Sequence, residues 1–309
     1  MNHGNVHGPQ AEEMPHDVFA DLHLNRYCTF SCRYCYFQGK EKRNPANQGG
    51  PIEPLLDGLA KSGRTWFLHI TGGEPFLHPR FVDLCEAIAK NHFISLNTNL
   101  APDAIEDFCQ RVPPSRVAFV HASYHLEERE RLGLVDDFIR KYHALRDAGF
   151  RVFASQVAYP PLLKRLFLAH EALLPHGIIL RPKIFKGRYH LRSYPHAYSS
   201  RQRERIRSLL DRCQELEPID GFHLDREMEL RFIDGKLSFT GLPCRAGHSF
   251  VVVYPDGRIV RCLGSRESIG NLRTGDCHFF DEVAPCRMEF CWCPRFGLLF
   301  ADGEPTVTR

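Results

Sequence analysis

Six short apolar runs, each separated from the next by a longer segment, restrict this 309-residue chain to one broad class of fold. The runs are VFADLHLNR (18–26), WFLHITG (66–72), FISLNTN (93–99), RVAFVHAS (116–123), RVFASQVAY (151–159) and IILRPKIF (178–185). Between them, FVDLCEAIAK (81–90), VDDFIRKYHALRDAG (135–149) and LLKRLFLAHEALL (162–174) repeat apolar residues three and four apart, the period of a helix packed on one side. Strand, helix, strand in repetition requires right-handed crossovers and builds a parallel sheet. Six such units leave the sheet an open, partial (β/α)6 barrel. The expected class is therefore α/β, with ligands gathered at the C-terminal ends of the strands.

After about Ile219 the texture changes to short alternating runs with turn signals at Asp234-Gly235 and Pro255-Asp256-Gly257, which read as hairpins. The expected organisation is an N-terminal extension (1–17), a barrel domain (18–218) and a small C-terminal β-hairpin region (219–309). No internal repeat or low-complexity linker interrupts it.

Forty basic residues against 37 acidic ones leave a formal charge of +3, too little to point to nucleic acid or an anionic membrane as partner. No run approaches the roughly 18 apolar residues of a membrane span, and the N-terminus lacks the basic-then-apolar order of a signal peptide. The expected location is the cytoplasm. In that reducing compartment twelve cysteines are read as metal-binding or catalytic before they are read as disulfides.

Directly after the first run stands Cys28-Thr-Phe-Ser-Cys32-Arg-Tyr-Cys35, three thiolates within eight residues. They can reach three corners of one cubane, and no fourth cysteine lies nearby to close the set. The iron left over is an open coordination position, the mark of a reactive rather than a structural site. A zinc knuckle completed by His23, or three incidental cysteines, is the bland alternative; free cysteines in a core have no reason to gather at a strand end.

The spacing of three residues and then two, with Tyr34 before the last cysteine, resembles the radical S-adenosylmethionine (SAM) superfamily, whose cysteine loop follows the first strand of a partial barrel. The resemblance implies a [4Fe–4S] cluster on Cys28, Cys32 and Cys35, SAM on its open iron and Tyr34 near the adenine. Ile70-Thr71-Gly72-Gly73-Glu74-Pro75 resembles the second family signature, in which a glycine-rich turn receives the methionine part of SAM. By the same resemblance Asn97, Asn99 and Ser123 lie over the ribose and carboxylate, with Gln156 and Tyr159 at the fifth strand end. Polar residues that end apolar strands serve equally well as helix caps.

Cys244, a hairpin, Gly257-x4-Cys262, then Gly270-Asn271 and Cys286-x4-Cys291-x-Cys293 resemble the SPASM/twitch extension of radical SAM enzymes. This implies one auxiliary [4Fe–4S] cluster on four of Cys244, Cys262, Cys286, Cys291 and Cys293. The final Cys-x4-Cys-x-Cys departs from the usual Cys-x2-Cys, which leaves the last two ligands open, and structural zinc would suit four such cysteines almost as well. Cys85 and Cys109 fall on helical patterns and read as small buried apolar residues. Cys213 and Cys277 are candidate hydrogen-atom donors to a substrate radical.

Between Arg181 and Arg212 ten Lys or Arg face two acids. The part beyond Ser200 is helical, with its arginines on several faces. The part before it leaves the sixth strand as a loop over the barrel mouth, where Lys183, Lys186, Arg188 and Arg192 are expected to meet an anionic, phosphate-bearing small molecule or, equally, only solvent. By resemblance, reductive cleavage of SAM gives a 5′-deoxyadenosyl radical that takes hydrogen from this substrate, in an oxidation, epimerisation or rearrangement. A flavodoxin or ferredoxin would supply the electron. One rival is a peptide-modifying maturase, although no segment stands out as a leader-peptide-binding domain. Another, of a different class, is an iron–sulfur electron carrier or sensor without SAM chemistry, which would have no need of the Gly72-Gly73-Glu74 turn.

Overall fold

Strands that are apolar on both faces belong in the middle of a covered sheet, and all eight residues of β1 (Val18–Asn25) are buried. The computed structural model describes residues 14–37, 39–218, 226–234, 237–289, 291 and 306–307. Most of the expected N-terminal extension, the start of the C-terminal region at 219 and Cys293 lie outside the described residues.

Beyond β1 the order is α1 (Glu53–Lys61), β2 (Trp66–Gly72), α2 (Phe81–Ala89), β3 (Phe93–Thr98), α3 (Ile105–Arg111), β4 (Val117–Ser123), α4 (Leu126–Leu132), α5 (Val135–Asp147), β5 (Val152–Val157), α6 (Leu163–Leu173) and β6 (Leu180–Lys183). These six strands pair in parallel and in sequence order, as expected of a partial barrel. Each helix buries one apolar stripe; that of α2 consists of Phe81, Val82, Leu84, Cys85, Ile88 and Ala89.

The basic segment after β6 is not a loop but a hairpin, β7 (Gly187–Tyr189) and β8 (Arg192–Tyr194). Its turn places His190 and Leu191 at φ 44° and 61°, the left-handed conformation that a two-residue hairpin turn demands and that side chains seldom adopt. Next come α7 (Ser200–Leu216), closed at its start by a Ser199–Gln202 capping box, and α8 (Arg226–Asp234).

The remaining strands are β9 (Leu237–Ser238), β10 (Pro243–Cys244), β11 (Phe250–Val253), β12 (Arg258–Val260), β13 (Ser268–Asn271), β14 (Asp276–Cys277), β15 (Ala284–Pro285) and β16 (Thr306–Val307). β11 lies parallel to β1, and β12 to β14 follow antiparallel, so one ten-stranded sheet runs β14-β13-β12-β11-β1-β2-β3-β4-β5-β6. The Pro255-Asp256-Gly257 signal falls on the β11–β12 turn, where Gly257 takes φ 85°. Among the described residues no helix is long and apolar enough to cross a membrane.

Helix α1 ties the barrel to these added strands at Gly58, where a Cβ would overlap the Leu272 carbonyl oxygen. In an ordinary helix interior Gly→Ala stabilises by about 1 kcal/mol. Here the overlap is with backbone, which cannot step aside, so Gly58→Ala is expected to destabilise by about 1–3 kcal/mol. The urea midpoint should fall; a rise would mean that α1 and the turn after β13 are not in contact.

Candidate functional site

Because β1 to β6 run in parallel, their C-terminal ends meet on one side, and a cavity of about 500 Å3 opens there. That volume is in the range of small-molecule sites. Its wall carries Cys28, Cys32 and Cys35, the turn Gly72-Gly73-Glu74, Asn97, Thr98, Asn99, Ser123 and Tyr34. Its deeper part is lined by Asp21, His23, His69, His121, Ser155, Lys183 and Glu229.

The cysteine loop is held from several directions. Cys28 N donates to the Lys42 carbonyl at 3.0 Å, and Ser31 N donates to the Glu128 carboxylate on α4 at 2.8 Å. Arg33 pairs with Glu127, one residue before it. Beneath the loop the buried Arg129 lies over the Phe138 ring at 4.4 Å and the Phe30 ring at 5.5 Å and donates Nε to the Tyr124 carbonyl at 2.9 Å.

Burial pushes the Cys28 thiol up to about 11 and the Cys32 thiol up to about 12, while the Lys42 ammonium pulls both down. Left to themselves these thiols keep their protons at neutral pH; iron would take the thiolate charge that the apolar surroundings refuse. Three cysteines on one wall, and no other among the described residues lining it, fit a cluster with one iron left open. No three described His, Cys, Asp or Glu side chains converge as ligands of a single ion would. The corners of a cubane are separate points, so a cluster does not ask for that convergence.

The turn after β2 is fixed by two buried side chains. Asn25 donates Nδ2 to the Glu74 carbonyl at 2.8 Å and accepts Gly73 N at 3.1 Å. The Glu74 carboxyl, 1% exposed, accepts Thr98 Oγ1 at 2.7 Å, Asn99 N at 2.7 Å and Phe76 N at 3.2 Å. Burial pushes it up to about 7 against those donors. A Cβ on Gly73 would overlap the Tyr27 carbonyl, so close contact with the cysteine loop requires glycine there.

Asn97 accepts Ser123 Oγ at 2.9 Å and donates Nδ2 to Thr71 at 3.3 Å. The Asn99 side-chain amide lies 3.8 Å from the Cys28 sulfur. Tyr34 shares its hydroxyl with His125 Nδ1 at 3.0 Å and Gln156 Nε2 at 3.1 Å, its ring 5.5 Å from that of Tyr159. His125, at φ 52°, is driven down to about 3 by burial, with the Arg129 charge adding to it, and is neutral.

Lys183 and Lys186 line the cavity, whereas Arg188 and Arg192 stand exposed on the hairpin outside its lining. Cys213 is buried between α7 and β6, its sulfur 3.8 Å from the Leu180 carbonyl, and Cys277 lies on β14; neither lines the cavity. Farther along, the two-residue β10–β15 ladder brings Cys244 and Cys286 into contact. The Cys244 thiol donates to Cys286, which raises the one and lowers the other, and Cys291 is close enough to act on Cys244 electrostatically. Cys262 is half-buried and packs against the main core.

Of the deep polar group, sequence reasoning names Lys183, and His23 only as an alternative zinc ligand; it misses Asp21, His69, His121, Ser155 and Glu229. The group's signal is the alternation Asp21-x-His23-x-Asn25 in a strand buried throughout, which turns every second side chain into the barrel.

Residues 22–165, from within β1 to the start of α6, match the model of the Radical SAM superfamily. Among solved structures, SuiB from Streptococcus suis is similar at TM-score 0.58 and 15% identity over 85% of this chain and 66% of that one, so the present chain spans just under two thirds of its length. SuiB bound to S-adenosylmethionine is similar at 0.55, with 15% identity and coverage of 83% and 63%. Native anSMEcpe with bound AdoMet is similar at 0.58 and 14% identity, over 83% of this chain and 78% of that one. No curated protein matches. At these identities the structures speak for the fold, and the family match covers just under half of the chain.

Glu74→Gln keeps the shape but puts an amide where a backbone or hydroxyl donor must be met. It is expected to cost about 1–3 kcal/mol of stability, the penalty of a buried donor left unpaired. Chemical denaturation of the full chain tests this, and an unchanged midpoint would remove Glu74 as the brace of the turn.

Proposed function

We propose that the chain is a radical SAM enzyme in which Cys28, Cys32 and Cys35 hold a [4Fe–4S] cluster and the ends of β2 to β4 hold S-adenosylmethionine. The observation that carries this reading is the gathering of three cysteines, the Gly72-Gly73-Glu74 turn and Asn97 and Asn99 on one cavity wall. When bound and reduced, the cluster supplies the electron that cleaves SAM to methionine and a hydrogen-abstracting 5′-deoxyadenosyl radical.

The chain's own part is positional. Gly72 and Gly73, without side chains, let the methionine end approach the backbone. The Asn97–Ser123 pair offers polar groups to the ribose, and Tyr34, held by His125 and Gln156, flanks the adenine. A flavodoxin or ferredoxin is the natural electron donor.

The substrate we propose is an anionic small molecule, met by Lys183 and Lys186 and undergoing oxidation, epimerisation or rearrangement. The exposed Arg188 and Arg192 are not needed for that contact. A peptide substrate is the second reading. It is favoured by the capture of SuiB with the precursor peptide SuiA and of anSMEcpe with the Cp18Cys peptide.

An auxiliary [4Fe–4S] cluster on Cys244, Cys286 and Cys291, completed by Cys262 or Cys293, accounts for three cysteines that lie close to one another without another evident use.

Anaerobic reconstitution followed by reduction in the presence of SAM should yield 5′-deoxyadenosine from the wild-type chain and none above background from Cys32→Ala. Intact clusters with no such product would favour an electron carrier, and absence of iron would favour zinc. Independently, Cys244→Ala should lower bound iron from about eight to about four atoms per chain; iron analysis that finds no change would dismiss the auxiliary cluster.

A further inference from the structure

At the deep end of the cavity two polar atoms are left without partners. Asp21 and His23, each 3% exposed, stand two residues apart on β1, and His23 Nε2 lies 3.3 Å from Asp21 Oδ2. Among the described residues neither Asp21 Oδ1 nor His23 Nδ1 has a hydrogen-bond partner, although both side chains line the cavity. Their neighbours are satisfied: His69 pairs with Ser95 Oγ at 2.8 Å, and His121 with Ser155 Oγ at 2.5 Å. Each orphaned buried polar atom costs about 1–3 kcal/mol, so two on one pair of cavity-lining side chains call for an occupant.

We propose that the Asp21–His23 pair is a substrate subsite that holds hydroxyl groups of a sugar or other polyol. Asp21 Oδ1 is an acceptor, and His23 Nδ1 accepts or donates according to its tautomer. A hydroxyl both donates and accepts and so suits either atom, whereas a bare anion offers Asp21 Oδ1 no donor.

Charge separates hydroxyls from an ammonium group. Burial works to raise the Asp21 carboxyl, and His23, His69 and Lys183 outweigh it, leaving the group below its usual range. Lys183 already acts on the Asp21 charge, so a cationic guest would meet its ammonium, whereas a neutral donor meets no such repulsion. The Tyr36 ring, 6.4 Å from that of His23, also lines the cavity and offers apolar surface to the C–H groups of a sugar.

This subsite rests on the small-molecule reading above and extends it, since Lys183 and Lys186 would take the anionic end of the same molecule. The test is anaerobic equilibrium dialysis of the reconstituted full chain with SAM, using glycerol 3-phosphate, ribose 5-phosphate and glucose 1-phosphate against propyl phosphate, which lacks the hydroxyls.

At least one hydroxylated probe should bind at least about tenfold more tightly than propyl phosphate, and Asp21→Asn or His23→Gln, with wild-type iron content, should erase that advantage while leaving propyl phosphate within about twofold. Hydroxylated probes that bind while propyl phosphate does not would support the subsite and count against the lysine contact. Equal affinity of all four for the wild-type chain would overturn the subsite while leaving the anionic reading in place. The subsite is overturned equally if no probe binds better than propyl phosphate, or if the variants weaken every probe alike. Formation of 5′-deoxyadenosine by the wild-type chain is measured separately, so failure of the SAM chemistry is not confused with failure of the subsite.

Discussion

The site depends on one buried carboxyl. Glu74 joins the end of β2 to the end of β3 through Thr98 and Asn99, and Asn25 joins the same turn to the end of β1. Those three strand ends carry the cysteine loop, the glycine turn and the asparagines. Removing a charged or amide acceptor from such a place leaves backbone donors buried and unmet, a larger penalty than the net gain from making the bond. Asn99 extends the chain of contacts to the Cys28 sulfur, so the distance between the thiol wall and the glycine turn is set by hydrogen bonds and not by loop packing alone.

Much of this is legible in the sequence, because parallel strands and their helices announce themselves by period. β2 begins and ends where its apolar run does, at 66 and 72. β6 is shorter than its run of 178–185, and the reason lies far off in sequence. Ile184 N donates to the Glu229 carboxylate at 2.5 Å and Phe185 N to the Tyr198 hydroxyl at 3.1 Å, so side chains from beyond the strand take the donors that a ladder would have used. Apolar residues there are buried without being strand. The partners of Glu74 hide for the same reason: Thr98 and Asn99 are a strand and a helix away, and only the closed sheet brings them near.

The C-terminal cysteines show where periodicity stops informing. Cys244 and Cys286 meet through a ladder of two residue pairs, Pro243 with Pro285 and Cys244 with Ala284, too short to leave a pattern. The spacing around the β11–β12 hairpin is readable. What it does not convey is that β11 lies alongside β1, making the added strands a continuation of the barrel's own sheet.

That continuation divides the molecule mechanically. β1, which leads into the thiol loop, has a hydrogen-bonded neighbour on each side, whereas β6, which carries Lys183 and leads into the hairpin, forms one rim of the ten-stranded sheet. A rim strand opens at lower free energy than an interior one, because fewer bonds must break. On the function proposed above, the cluster would sit on the stiff half of the molecule and the substrate contacts on the yielding half, so exchanges along β6 and the hairpin would retune selectivity without disturbing the thiol wall.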